Sequence, residues 1–192
     1  MNGNCHFIFG TSIGVSIAIN LSTINQYVPQ IANTPEMGCL FVMGGIMGGI
    51  FPDIDAPQSY MGKLSYPVSR YIYKFSKFFG NRGKYHRGLL HDPFLYLLCI
   101  GFAYFYYPSL LGFFIGCLSH TYLDMFNPVG IPFMFGLKHL KAGKIKSASK
   151  ECLLFTWFNS AGVIAVGLIF FFKMTYNEIL SAFKEFAFLF QD

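Results

Sequence analysis

The chain has 192 residues, 54% of them hydrophobic and 12% charged, with a formal net charge of +5. A soluble globular domain carries about a quarter charged residues, so this balance, together with 24 phenylalanines, argues against an ordinary soluble protein and for an integral membrane protein. The length predicts a single domain, residues 1–192.

His6 precedes the first apolar segment, Phe7–Ile24. Thr11, Ser12, Ser16, Asn20 and Ser22 within it predict a helix packed inside a bundle rather than facing lipid. No basic run precedes the segment, so no cleaved signal peptide is expected. The second segment, Gly38–Phe51, has overlapping G-x-x-x-G spacings at Gly44, Gly45, Gly48 and Gly49. Small residues at that spacing let membrane helices approach closely. Without an adjoining lysine they are not a phosphate loop. Pro52-Asp53-Ile54-Asp55-Ala56-Pro57 follows, a proline-bracketed turn presenting two carboxylates. Taken alone, it reads first as a helix-ending turn with solvated acids, since turns favour Asp.

His86-Arg87-Gly88-Leu89-Leu90-His91 opens the third segment, Leu89–Tyr107, and Gly88 gives the chain a place to bend between the two imidazoles. The fourth segment, Leu110–Met125, carries His120 and Asp124. Four residues apart on a helix, they share one face one turn apart, which suits a two-ligand metal grip or a helix-end ion pair. Glu151, just before the fifth segment, Leu153–Phe172, is either a further ligand or a carboxylate complementing the helix dipole. The tail, residues 173–192, has apolar residues at helical spacing from Tyr176 to Phe190, which predicts an amphipathic interfacial helix. The expected fold is an all-α polytopic membrane bundle, about five apolar segments plus this tail.

Twelve of the 14 Lys and Arg residues fall in two stretches, Lys63 to Arg87 and Lys138 to Lys150. In so apolar a chain the positive-inside rule explains them better than a nucleic-acid surface does. Both stretches are therefore expected in the cytoplasm, near anionic lipid headgroups. His6, Asp53, Asp55, His86, His91, His120, Asp124 and Glu151 then all fall at the cytoplasmic face. The cysteines, Cys5, Cys39, Cys99, Cys117 and Cys152, show no C-x-x-C pair and read as free thiols. Imidazole and carboxylate donors without thiolates suit Zn²⁺, with Mn²⁺ or Fe as alternatives. The donors outnumber the needs of one ion, so two or three are expected.

The combination of His6, Gly49-x-x-Pro52-Asp53-Ile54-Asp55-x-Pro57-x-Ser59, His86-Arg87-Gly88-x-x-His91, Gly116-x-x-Ser119-His120-x-x-x-Asp124 and Asn127-Pro128-x-Gly130 resembles the YdjM-type family of bacterial inner-membrane metal-dependent hydrolases. The likeness reaches to about Glu151. That family is distantly similar to the zinc-dependent phospholipase C and P1-nuclease group, which implies a zinc cluster held by His6, one of Asp53 and Asp55, His86, His120 and Asp124. Two departures stand out. Leu90 and Asp92 flank His91 where family members often have Thr and Ser, and Ser147-x-x-x-Glu151 replaces a further H-x-x-x-E of the soluble enzymes. The expected function is hydrolysis of a phosphoester, a lipid-linked one among the candidates, with Asp53 or Asp55 positioning the attacking water. A transporter and a non-catalytic anchor with a structural metal are the alternatives.

Overall fold

The computed structural model of the chain describes residues 3–78, 87–147 and 149–188. Eight α-helices appear there: α1 (Gly3–Ile19), α2 (Leu21–Tyr27), α3 (Pro35–Ile50), α4 (Tyr60–Leu64), α5 (Val68–Phe78), α6 (Pro93–Tyr106), α7 (Leu111–Met125) and α8 (Lys150–Phe188). Short 3₁₀ turns cover Phe51–Asp55, Leu89–His91 and Pro108–Leu110. A small antiparallel hairpin, β1 (Ile131–Phe133) with β2 (Lys138–Leu140), is added to the expected all-α fold.

Local signals set the helix starts. Thr34 caps α3, its hydroxyl accepting from the Met37 N–H, and Pro35 occupies the first turn. Asp92 caps α6 through the Phe94 N–H, again with proline first. The Ser149 hydroxyl accepts from the Cys152 N–H at the start of α8.

Glycine decides how the helices pack. α3 carries glycines on two faces. A Cβ at Gly45 would lie 2.4 Å from the Gly10 carbonyl oxygen of α1, and one at Gly48 only 2.0 Å from the Phe113 oxygen of α7. Only hydrogen fits at either place, so the backbones touch, as the G-x-x-x-G spacing predicted. The contacts also give direction. Gly10 meets Gly45 while Gly14 meets Phe41, so α1 and α3 are antiparallel. Gly112 meets Phe41 while Gly116 meets Gly45, so α3 and α7 are parallel. Cys5 to Cys152, Ser16 to Val163 and Asn20 to Gly167 are all 147 residues apart, so α8 runs parallel to α1. The starts of α1 and α8 and the ends of α3 and α7 therefore share one end of the bundle.

Of the polar residues of the first segment, Ser12, Ser16 and Asn20 pack inward as expected, whereas Ser22 is exposed and the Thr11 hydroxyl turns back onto the Phe7 carbonyl. Ser16 donates to the Val163 carbonyl, and Asn20 donates to those of Ser16 and Gly167. Asn20 sits where α1 gives way to α2, which is turned by 69°. Leu21, Ile31, Phe41, Ala103 and Leu111 fill the end of the core away from the polar cluster.

Among the described residues, two helical stretches are long and apolar enough to cross a bilayer: Pro35–Asp55 and Lys150–Asn177. The bent α1–α2 pair makes three if it counts as one span. The other expected segments form α6 and α7, of 14 and 15 residues. At 1.5 Å per residue they rise roughly 21–23 Å, short of the ~30 Å hydrocarbon core. A second correction concerns the tail. Instead of a separate amphipathic helix, α8 continues unbroken for 39 residues to Phe188, because no glycine or proline between Lys173 and Phe188 ends it. All five cysteines are free.

Candidate metal centre

The shared end of the bundle gathers acidic and imidazole side chains from four parts of the chain. His6 comes from the first turns of α1. Asp53 and Asp55 come from the 3₁₀ turn after α3. His91 comes from the 3₁₀ turn before α6, and His120 and Asp124 from the last turns of α7. His6, Asp55, His91, His120 and Asp124 are all at most 1% exposed. Burying such groups is costly unless they are paired or ligated.

His120 defines the centre. Its Nδ1 lies 2.8 Å from the Gly49 carbonyl oxygen. A carbonyl only accepts, so Nδ1 carries the proton and Nε2 presents its lone pair. Backbone anchoring of this kind orients metal-ligating histidines. Gly49 belongs to the glycine face of α3, where a Cβ would meet the His6 carbonyl at 2.7 Å.

Around His120 Nε2 stand His91 Nε2 at 3.3 Å, Asp53 Oδ1 at 3.6 Å and Asp124 Oδ2 at 3.8 Å. His91 Nε2 is itself 3.6 Å from both Asp53 Oδ1 and Asp124 Oδ2. A tetrahedral zinc site with bonds of about 2.0–2.1 Å has ligand edges of roughly 3.3–3.4 Å. The imidazole pair matches such an edge, and the carboxylate oxygens stand a few tenths of an ångström beyond it. On the far side, His6 Nε2 is 3.4 Å from Asp124 Oδ1, and its ring stacks on His120 with centroids 3.6 Å apart. Both His6 nitrogens are buried without a hydrogen bond among the described residues. Two overlapping groups could hold an ion: His6, His120 and Asp124, and Asp53, His91 and His120. His120 belongs to both, but with Nδ1 committed to Gly49 it has one lone pair and can serve one ion.

The two aspartates of the proline-bracketed turn divide their work. Asp53, with a side chain 15% exposed, faces the Nε2 atoms. Asp55 is fully buried, and its Oδ2 lies 3.6 Å from Nδ1 of His91, the opposite edge of that ring. It therefore stands behind His91, away from the paired Nε2 atoms. The turn is pinned by the Ser59 hydroxyl, which donates to the Asp53 carbonyl and accepts from the Gly62 N–H. Burial lowers the proton affinity of His91, but Asp55, then Asp53 and Asp124, outweigh it and hold the imidazole up at about 9 in the metal-free chain.

Among the expected ligands, His86 lies outside the described residues. Glu151 is exposed in the first turn of α8 and belongs to neither group. His139 is exposed on β2. Arg87, counted with the basic stretch from sequence, is instead buried beside the centre. Its guanidinium bonds Asp124 Oδ2 at 2.9 Å and donates to the Gly130 carbonyl at 2.9 Å. Its place between His86 and Gly88 was the available signal. Asp92 joins the α6 start to the hairpin, accepting from the Phe94 and Phe135 N–H groups. Gly130 adopts φ +72°, and a Cβ there would lie 2.4 Å from the Leu140 oxygen. That accounts for the glycine in Asn127-Pro128-x-Gly130.

The profile of the YdjM inner membrane protein family matches residues 1–188, which include every donor of this cluster. The chain belongs to that family. It is 29% identical over 102 residues to the inner membrane protein YdjM of Escherichia coli (strain K12), covering 49% of this chain and 48% of that protein. The YdjM protein of Shigella flexneri matches to the same extent. The chain thus spans about half the length of the curated relatives it matches. No solved structure matches it. The family and the apolar helices make this a protein of the bacterial inner membrane.

Proposed function

We propose that this protein is a membrane-bound, divalent-metal-dependent hydrolase of phosphoesters, working at the cytoplasmic face. The observation that carries the reading is the pair His91 Nε2 and His120 Nε2, 3.3 Å apart and each 3.6–3.8 Å from both Asp53 Oδ1 and Asp124 Oδ2. Zinc suits these donors best, and His120 limits this part of the cluster to one ion. A cation bound here supplies an acidified water and a Lewis acid for a phosphoryl oxygen.

The protein's own groups do the rest. Gly49 and Asp55 fix the two imidazoles through their Nδ1 edges, so that both Nε2 atoms face one point. Asp53, the most solvent-accessible of these donors, positions water arriving from solvent and takes its proton. Arg87 holds Asp124 in place and keeps positive charge beside the ester. His6 closes the inner wall, stacked on His120.

The orientation follows from charge. The described residues of both basic stretches adjoin the end of the bundle that carries the cluster, and by the positive-inside rule we assign that end to the cytoplasm. Arg70 and Lys74 lie on α5 beside exposed Tyr71 and Phe75, a composition suited to anionic headgroups at the interface.

Purified protein tests the reading in two measurements. Elemental analysis should find a divalent transition metal in the wild type and none in His120→Ala. A soluble phosphodiester should be hydrolysed by the metal-loaded wild type and not by a His120→Ala, Asp124→Ala double variant. Equal turnover by that variant refutes the proposal.

A further inference from the structure

A cavity of about 750 Å³ opens directly beside the centre, and Asp53 and Arg87 line it. Its volume falls in the range of small-ligand sites, about 300–1,000 Å³. Asn4, Gln58, Ser59 and Ser147 add polar groups to the wall, and Phe7 of α1, Ile50 of α3, Ala56, and Tyr60 and Met61 of α4 give it an apolar side. Phe7 is 45% and Tyr60 76% exposed. A site built for a water-soluble phosphoester has no need of an apolar wall leading away from its charged end. The position in the bilayer also matters. Phe7 lies near the start of α1, and Ile50 near the end of the Pro35–Asp55 span. The cavity is therefore at the membrane boundary, where headgroups meet chains.

From this we infer that the cavity holds an amphiphilic phosphate ester. Its phosphate lies at the Asp53–Arg87 end, and the first part of its hydrocarbon chain runs along Phe7, Ile50 and Met61. This deepens the hydrolase reading and rests on it for the phosphate end. The cation balances Asp53 and Asp124, and the guanidinium of Arg87, although it already bonds Asp124 and Gly130, adds positive charge at the mouth of the centre. Burial of the chain supplies the selectivity, since each methylene removed from water strengthens binding by a further factor of about four.

The test compares three probes: ethyl phosphate, dodecyl phosphate and dodecanol. Each is titrated against zinc-loaded protein in nanodiscs of a zwitterionic lipid, with empty nanodiscs as the blank. Binding is read as the shift in unfolding temperature and by competition with ethyl phosphate. Dodecyl phosphate should bind roughly tenfold or more tighter than either of the others. Asn4→Trp and Gln58→Trp, at exposed positions lining the cavity, should bring the ratio of dodecyl to ethyl phosphate toward one. Their metal content reports that they are folded. Equal binding of the two phosphates, or plugged variants that keep the wild-type ratio, overturns the inference.

The outcomes separate this proposal from the hydrolase reading. Chain-dependent phosphate binding without turnover of any ester supports the amphiphile site and refutes hydrolysis. Turnover of a soluble phosphodiester with no preference for a chain does the reverse.

Discussion

Replacing Gly48 with alanine tests whether helix contact builds the centre. The added Cβ would lie 2.0 Å from the Phe113 oxygen, 2.8 Å from the Cys117 nitrogen and 3.0 Å from the Gly116 carbonyl carbon, all backbone atoms of α7. Ordinary contact begins at 3.4 Å, so α3 and α7 must separate by about 1.4 Å at that level. Overpacking of this kind costs about 1–3 kcal/mol. The larger effect is on the site. His120 rides on α7, while its acceptor Gly49 and its neighbour Asp53 follow α3. The same opening would stretch the 2.8 Å bond from His120 Nδ1 to Gly49 beyond hydrogen-bonding range. Losing such a partner typically weakens metal affinity about 10–100-fold. The assay is zinc titration against a competing chelator, together with thermal unfolding in detergent. Gly101→Ala is the control, because a Cβ there meets nothing within 4 Å. Zinc affinity and unfolding temperature for Gly48→Ala equal to those of the control would refute the idea that glycine contact sets the site geometry.

Arg87→Met should destabilise the metal-free protein by about 3–5 kcal/mol, because Asp124 is left buried without its guanidinium, and added zinc should restore part of the loss in thermal unfolding. In the metal-free protein, His91 is raised from the ordinary 6.5 to about 9. Its stabilising contribution is therefore complete below pH 6.5 and lost as pH rises through 9, so the unfolding temperature of the apoprotein should fall across that window. By the same linkage, zinc uptake at pH 7 should release a proton, read from the dependence of titration heat on buffer ionisation, and the release should vanish well above pH 9. Glu151→Gln should leave metal content at the wild-type level, since the side chain is exposed and outside both donor groups; loss of the metal in this variant would restore Glu151 as a ligand.

The membrane class, the donor types and the packing helix were legible in the residues themselves. Few charges and many phenylalanines need lipid contact, the candidate donors are imidazoles and carboxylates without thiolates, and the four glycines from Gly44 to Gly49 form a close-contact helix with two faces. His120 and Asp124 were legible as neighbours because one helical turn relates them wherever the helix lies. Lengths were less well read. Hydropathy suggested five apolar segments, but helix rise leaves two or three long enough to span, and an uninterrupted α8 absorbs the tail.

Tertiary structure alone decided what crosses between helices. That α3 and α7 run parallel, that Gly49 accepts the hydrogen bond of His120 Nδ1, that Asp53 faces the two Nε2 atoms while Asp55 stands behind His91, and that Arg87 leaves the basic stretch to hold Asp124 are relations between atoms tens of residues apart. Periodicity carries phase along one helix but no information on its rotation against the next. That rotation is set where backbone meets backbone, and only the folded chain shows which carboxylate it turns toward the imidazoles.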